Sequence, residues 1–184
     1  MRLAALIAAA CLAGTALAAD PAPAPAPAAP APAPEAAATL DAIALDGLRA
    51  CQSIAEGRAA ADAAVIFGFA PVEATFVREV PQGKIEILPP AADRRSCRVQ
   101  IYALTLDNKV VLDAVSAYLT TPPQSYAPLQ SRIGERLGNY ASRTSIWASS
   151  DSGGLRTLTL YEILANEYYL GPKILMDFIA EHRH

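Results

Sequence analysis

Residues 73–104, EATFVREVPQGKIEILPPAADRRSCRVQIYAL, decide the fold class. Up to Val80 the period is two, with Ala74, Phe76, Arg78 and Val80 opposing Thr75, Val77 and Glu79. After Val80-Pro81-Gln82-Gly83 the alternation resumes, with Ile85 and Ile87 on one side. Pro in the second and Gly in the fourth position suit a type I turn, so 73–88 reads as a β-hairpin. Pro89-Pro90 ends it, and Ser96–Leu104 alternates again, with Cys97, Val99, Ile101 and Ala103 opposing Arg98, Gln100 and Tyr102. That is a half-buried strand with Cys97 pointing inward.

Upstream, Leu40, Ile43/Ala44, Leu48, Cys51 and Ile54/Ala55 recur at helical spacing between Thr39, an N-cap residue, and Gly57. The spacing predicts a helix over 40–56, with a short helical continuation from Arg58 that Gly68 and Pro71 break. Downstream, Val110, Val111, Ala114, Val115, Tyr118 and Leu119 predict a helix capped by Asp107 or Asn108 and stopped by Thr121-Pro122-Pro123. A shorter amphipathic helix is expected near Leu129–Leu137. Thr144–Ala148 and Leu155–Ile163 flank Ser150-Asp151-Ser152-Gly153-Gly154, which predicts a second hairpin. Gly171-Pro172 followed by Ile174, Leu175, Phe178 and Ile179 predicts a closing amphipathic helix. The expected fold is α+β: a largely antiparallel sheet of about five strands with helices packed on one face, in the order α-β-β-β-α-β-β-α.

That order, with one Cys on the first helix and one on an inner strand, resembles small, uncharacterised secreted bacterial α+β proteins. It is also loosely similar to the helix and strand order of type III secretion chaperones. The resemblance spans most of residues 39–184, rests on element order alone, and implies no functional residue.

Of the 184 residues, 53% are hydrophobic, yet 19 of the 40 alanines fall before position 39. Removing residues 1–38 leaves 146, enough for one domain that buries roughly two-thirds of its unfolded surface. The formal charge of −3 gives no excess of cations to hold nucleic acid, and losing Arg2 with a leader makes it −4.

Met1-Arg2, an apolar run to Leu17, and Ala16-Leu17-Ala18 form the three parts of a secretory signal, with cleavage expected after Ala18. The run is too short and too rich in alanine for a transmembrane span. Ala8-Ala9-Ala10-Cys11 stands where a lipoprotein signal would end, so membrane contact is expected only if Cys11 is lipidated. Seven of the 15 prolines alternate with alanine over 21–34. Proline fixes φ and removes a donor, so this tract reads as an extended spacer reaching on the order of 60 Å at about 3.1 Å per residue. The expected organisation is a signal peptide over 1–18, a Pro/Ala-rich disordered spacer over 19–38 and one α+β domain over 39–184, periplasmic or secreted.

Export leaves Cys51 and Cys97 in an oxidising compartment, each on the apolar face of its element. A disulfide is expected; two buried thiols and a redox pair are the alternatives. Closing a loop of roughly 46 residues would stabilise by about 3 to 4 kcal/mol.

The chemistry of the chain is sparse. Asp151-Ser152-Gly153-Gly154 superficially matches a serine protease nucleophile segment, but the only histidines are His182 and His184, at the end of the chain. The sequence shows no phosphate loop, dinucleotide fingerprint, haem motif or zinc cluster, and no cofactor is expected. Glu86, Glu162 and Glu167 are candidate carboxylates for acid-base work, read first as ordinary exposed charges. Arg94, Arg95 and Arg98 form the one basic cluster, suited to an anionic group. Trp147, Tyr161, Tyr168 and Tyr169 sit on or after the second hairpin, and Trp147 would be a surface aromatic if it alternates outward with Ser145 and Ser149. Trp147, Tyr168, Tyr169, Arg94, Arg95 and Arg98 together are the candidate binding surface, with a protein or cell-envelope partner expected. The leading expectation is a non-enzymatic secreted module. An accessory protein acting through its Pro/Ala tail, and a hydrolase or lyase using carboxylates in a groove, are the rivals.

Overall fold

The computed structural model describes residues 38–80, 83–92, 96–103, 108–137, 139–151, 154–164 and 169–182. The elements are α1 (Leu40–Ala55), α2 (Ala60–Ile66), β1 (Ala70–Val72), β2 (Thr75–Val80), β3 (Gly83–Leu88), β4 (Cys97–Ala103), α3 (Asn108–Thr120), β5 (Ala127–Leu137), β6 (Tyr140–Asp151), β7 (Gly154–Leu164) and β8 (Ile174–His182). Eight strands form one antiparallel sheet in the order β1-β2-β3-β4-β8-β7-β6-β5.

This corrects the expected five-strand sheet and its α-β-β-β-α-β-β-α order. Three additional strands account for the difference. Residues 174–182, expected to close the chain as a helix, are the central strand β8, paired with β4 on one side and β7 on the other. Residues 127–137, expected to hold a short helix, are the long edge strand β5. Ala70–Val72, where Gly68 and Pro71 are expected to break the preceding helical segment, forms the opposite edge as β1.

Both hairpins are where the alternation put them. Phe76 pairs with Ile87 and Val80 with Gly83 in β2–β3, while the turn at Pro81 and Gln82 lies outside the described residues. In β6–β7 the register runs from Ala141 opposite Leu164 to Asp151 opposite Gly154, while Ser152 and Gly153 lie outside the described residues.

The topology falls into two halves. Each starts with helix (α1 with α2, then α3), places its next strand at an outer edge, and runs four strands inward. The last strands, β4 and β8, pair at the middle, with Cys97 opposite Phe178, Val99 opposite Met176 and Ile101 opposite Ile174. Leu158 and Leu160 continue that apolar layer on β7, and all of these side chains are buried.

α1 packs on β3, β4 and β8, and α3 packs against α1. Of the stripe read from the sequence, α1 buries Ile43, Ala44, Leu48 and Cys51 and half-buries Leu40, Ile54 and Ala55; it also buries Gly47, Ala50 and Gln52. Gly47 lets the helix approach closely, since a β-carbon there would lie 3.1 Å from Val99 Cγ1. Thr39 sits at the N-cap position with extended backbone, but its hydroxyl makes no capping bond. α3 buries Val111, Val115 and Leu119. No helix among the described residues is long and apolar enough to cross a membrane.

Candidate functional site

The expected disulfide is formed. Cys51 and Cys97 are bonded, their Cα atoms are 5.3 Å apart, and both side chains are fully buried. It ties α1 to β4 directly beneath the junction of the two halves.

The aromatic and basic candidates do not converge on one surface. Trp147 is only 7% exposed and belongs to the hydrophobic core, opposite Leu158. Ser145 and Ser149 on the same side of β6 are half-buried, and Trp147 presents no ring to solvent. Arg98 is committed to Asp177 through Nε at 2.6 Å and Nη2 at 2.7 Å, which directs its fork away from any incoming anion. Tyr169 is half-buried, with its ring 4.4 Å from that of Tyr140 and Lys173 Nζ 5.1 Å from its centre. Its phenol is raised above the usual range, first by burial and then by Tyr140. Tyr161 lines up opposite Leu175 on the sheet. Arg94, Arg95 and Tyr168 lie outside the described residues.

The carboxylate candidates are also engaged. Glu86 lies 3.5 Å from Lys84 Nζ. Glu162, expected to be exposed, is 7% exposed and accepts from Asn108 Nδ2 at 2.9 Å. Arg143 Nη1 is 3.0 Å from its other oxygen, near enough for an ion pair though without hydrogen-bond alignment. Burial of this charge is tolerated because it is paired. Glu167, His184 and the His182 side chain lie outside the described residues.

The concave site is elsewhere, between α1, α3 and the segment that follows α3. Leu45, Arg49, Gln52 and Ser53 recur at three- and four-residue spacing along one side of α1, and Glu56 at its C-cap continues the row. On α3, Ala114, Ala117 and Tyr118 face them, and the small alanines leave room that a longer side chain would fill. Pro122 and Pro123, joined by a cis peptide bond, and Gln124 close the end.

Two contiguous cavities result. One, about 430 Å³, is mainly apolar and is lined by Leu45, Ala114, Ala117 and Pro122. The other, about 340 Å³, is mainly polar and is lined by Gln52, Ser53, Glu56, Phe67 and Arg156. Arg49, Tyr118, Pro123 and Gln124 border both. Each volume lies in the range of ordinary ligand sites.

The shared wall is held by a chain of hydrogen bonds. Tyr118 Oη donates to Gln52 Oε1 at 2.7 Å, and Gln52 Nε2 donates to Gln124 Oε1 at 3.3 Å. Burial raises the Tyr118 phenol, against a weaker opposing effect of Arg49. The Arg49 guanidinium lies 5.1 Å from the centre of the Tyr118 ring and donates to Asp46 Oδ1 at 3.1 Å. Asp46 also accepts from Arg78 Nη1 at 3.2 Å. Arg156 Nη1 is 3.7 Å from Glu56 Oε1.

No family model, curated protein or solved structure matches the chain. Function therefore has to be argued from this groove.

Reading the sequence for catalytic types missed the groove altogether. Arg49, Gln52 and Glu56 carry no expected role there, and Thr121-Pro122-Pro123 stands only as a helix stop. The available signal was the polar set at 49, 52, 53 and 56, an arginine, an amide, a hydroxyl and a carboxylate at helical spacing.

Proposed function

We propose that the protein is an exported, disulfide-stabilised binding module that takes a protein or cell-envelope partner in the groove between α1 and α3. The observation that carries this reading is the continuity of the groove: an apolar and a polar cavity share one wall of Arg49, Tyr118, Pro123 and Gln124. An apolar surface with a few fixed polar groups is what a recognition site needs. The described groove lining holds a single carboxylate, Glu56, set against Arg156, and this favours binding over acid-base catalysis. The leader read in the sequence over 1–18 supports export, and so does the buried disulfide, since such bonds persist in oxidising compartments.

The test is site-specific photo-crosslinking in cells of the natural host. A photoreactive residue replacing Ser53, in the groove, should give a discrete adduct in the envelope fraction, and Ala117→Trp should remove it. The same probe replacing Glu79, an exposed residue on β2, should give none. Identical adducts from both positions, or none from Ser53, would overturn the proposal.

A further inference from the structure

We infer that the groove receives the carboxyl-terminal end of a partner polypeptide whose last side chain is apolar. This rests on the binding reading above and narrows it to a chemical class. A ligand that fills both halves must join an apolar group directly to a polar one, because Arg49 and Tyr118 border the two cavities together. Its charge follows from the surroundings of the polar half, where three guanidinium groups, Arg49, Arg78 and Arg156, stand against two described carboxylates, Asp46 and Glu56. An anionic head meets the complementary potential.

Arg49 is placed to hold that head. Its Nη1 is fixed by Asp46 at 3.1 Å, its cation rests over the Tyr118 ring at 5.1 Å, and its side chain is 42% exposed. A guanidinium has five N–H donors in a rigid fork, so one bond to Asp46 leaves donors for a carboxylate. The apolar end then falls toward Leu45, Ala114 and Ala117.

A fatty acid would also offer an apolar body and a carboxylate. Its head, however, consists of two acceptor oxygens, whereas the polar half offers acceptors as well as donors in Ser53 and Glu56. A peptide alternates N–H and C=O beside its terminal carboxylate and satisfies both kinds, a recognised mode of peptide capture.

The experiment titrates the full chain with an N-terminally fluorescent hexapeptide ending in Ala-Leu, as the free acid and as the carboxyl-terminal amide, with dodecanoate in parallel. The acid should bind saturably, and the amide about tenfold or more weakly, since a charge-assisted pair is lost. Arg49→Gln should weaken the acid by a similar factor and leave the amide unchanged, and Ala117→Trp should abolish both, with folding checked by circular dichroism. Equal binding of acid and amide, or an acid that ignores Arg49→Gln, overturns the inference. Saturable binding of dodecanoate without the peptide overturns it in favour of an acyl ligand. If the Ser53 adduct persists while no peptide binds, the inference fails and the binding reading stands; loss of both removes both.

Discussion

Arg98 on β4 and Asp177 on β8 meet through two parallel hydrogen bonds, 2.6 and 2.7 Å long, across the strand pair that joins the two halves of the sheet. The hydrogen bond to Asp177 holds the Arg98 guanidinium above its ordinary pKa, against the opposing effect of burial. Their side chains are 28% and 12% exposed, so solvent screens the pair only in part. Removing either partner leaves the other charge poorly solvated at the middle of the sheet. Arg98→Ala and Asp177→Ala should each lower unfolding free energy by about 2 kcal/mol, with a coupling of about 1 kcal/mol in the double-mutant cycle. Additive losses in urea titrations would show that the pair is not a junction contact.

The disulfide acts on the same junction from the helix side. Its closed loop spans a sequence separation of 46, for which the chain-entropy model gives about 3 to 4 kcal/mol. Replacing Cys51 and Cys97 together by alanine should lower stability by about that amount. Because both sulfurs are fully buried, dithiothreitol should reduce the native protein far more slowly than protein in urea. Equal rates of thiol release in the two conditions would contradict the buried placement.

α1, α3, the two hairpins and β4 could be read from period alone, whereas the eight-strand sheet could not, and the two long failures have physical causes. β4 alternates cleanly, buried at Cys97, Val99, Ile101 and Ala103 and half-buried between, because its second face carries polar groups. β8 does not: Ile174, Leu175, Met176 and Phe178 are all buried, so the strand reads as an apolar run with helix-like spacing. The one polar residue between Ile174 and Ala180, Asp177, is matched by Arg98 from the neighbouring strand, a partner invisible to local pattern. β5 fails differently. Its register shifts between Pro128 and Gln130 and between Ile133 and Glu135, and each irregularity resets the alternation. Leu129 and Ile133, exposed at 64% and 70%, then mimic a helical stripe. The groove was hidden for another reason: it needs α3 laid against α1, a contact that neither helix announces by itself.

Tyr126 buries a hydroxyl that makes no hydrogen bond. Burial raises its phenol above 10.0, while nearby Arg156 and Gln52 act in the opposite direction. An unpaired buried hydroxyl is costly, so Tyr126→Phe should be neutral or stabilising by up to about 1 kcal/mol at pH 7. The sign with pH follows from proton binding. Between the unfolded and the raised folded value the native state holds the proton that the unfolded chain has lost, so stability present below about pH 10 falls as pH rises through that window. Thermal melts from pH 8 to 11 should show a shallower alkaline decline for Tyr126→Phe than for the unaltered chain. Parallel declines would mean that the phenol does not titrate differently on folding.

Gly83 opens β3 with φ at +155°, directly beside β4. A β-carbon there would collide with the backbone carbonyl oxygen of Tyr102 and lie 2.7 Å from its carbonyl carbon. Backbone cannot move aside as a flexible side chain does, so relief requires parting β3 from β4. Gly57, just past α1, provides the contrast: its φ is +97°, yet an added β-carbon would meet nothing within 4 Å. Gly57→Ala should therefore cost only the left-handed backbone penalty, about 1 kcal/mol. Gly83→Ala adds the collision and should cost about 2 to 4 kcal/mol. Amide hydrogen exchange separates the two mechanisms, because Gly83→Ala should loosen β3 and β4 while Gly57→Ala leaves their protection in place. Equal losses for the two variants would show that strand approach at Tyr102 is not what Gly83 permits.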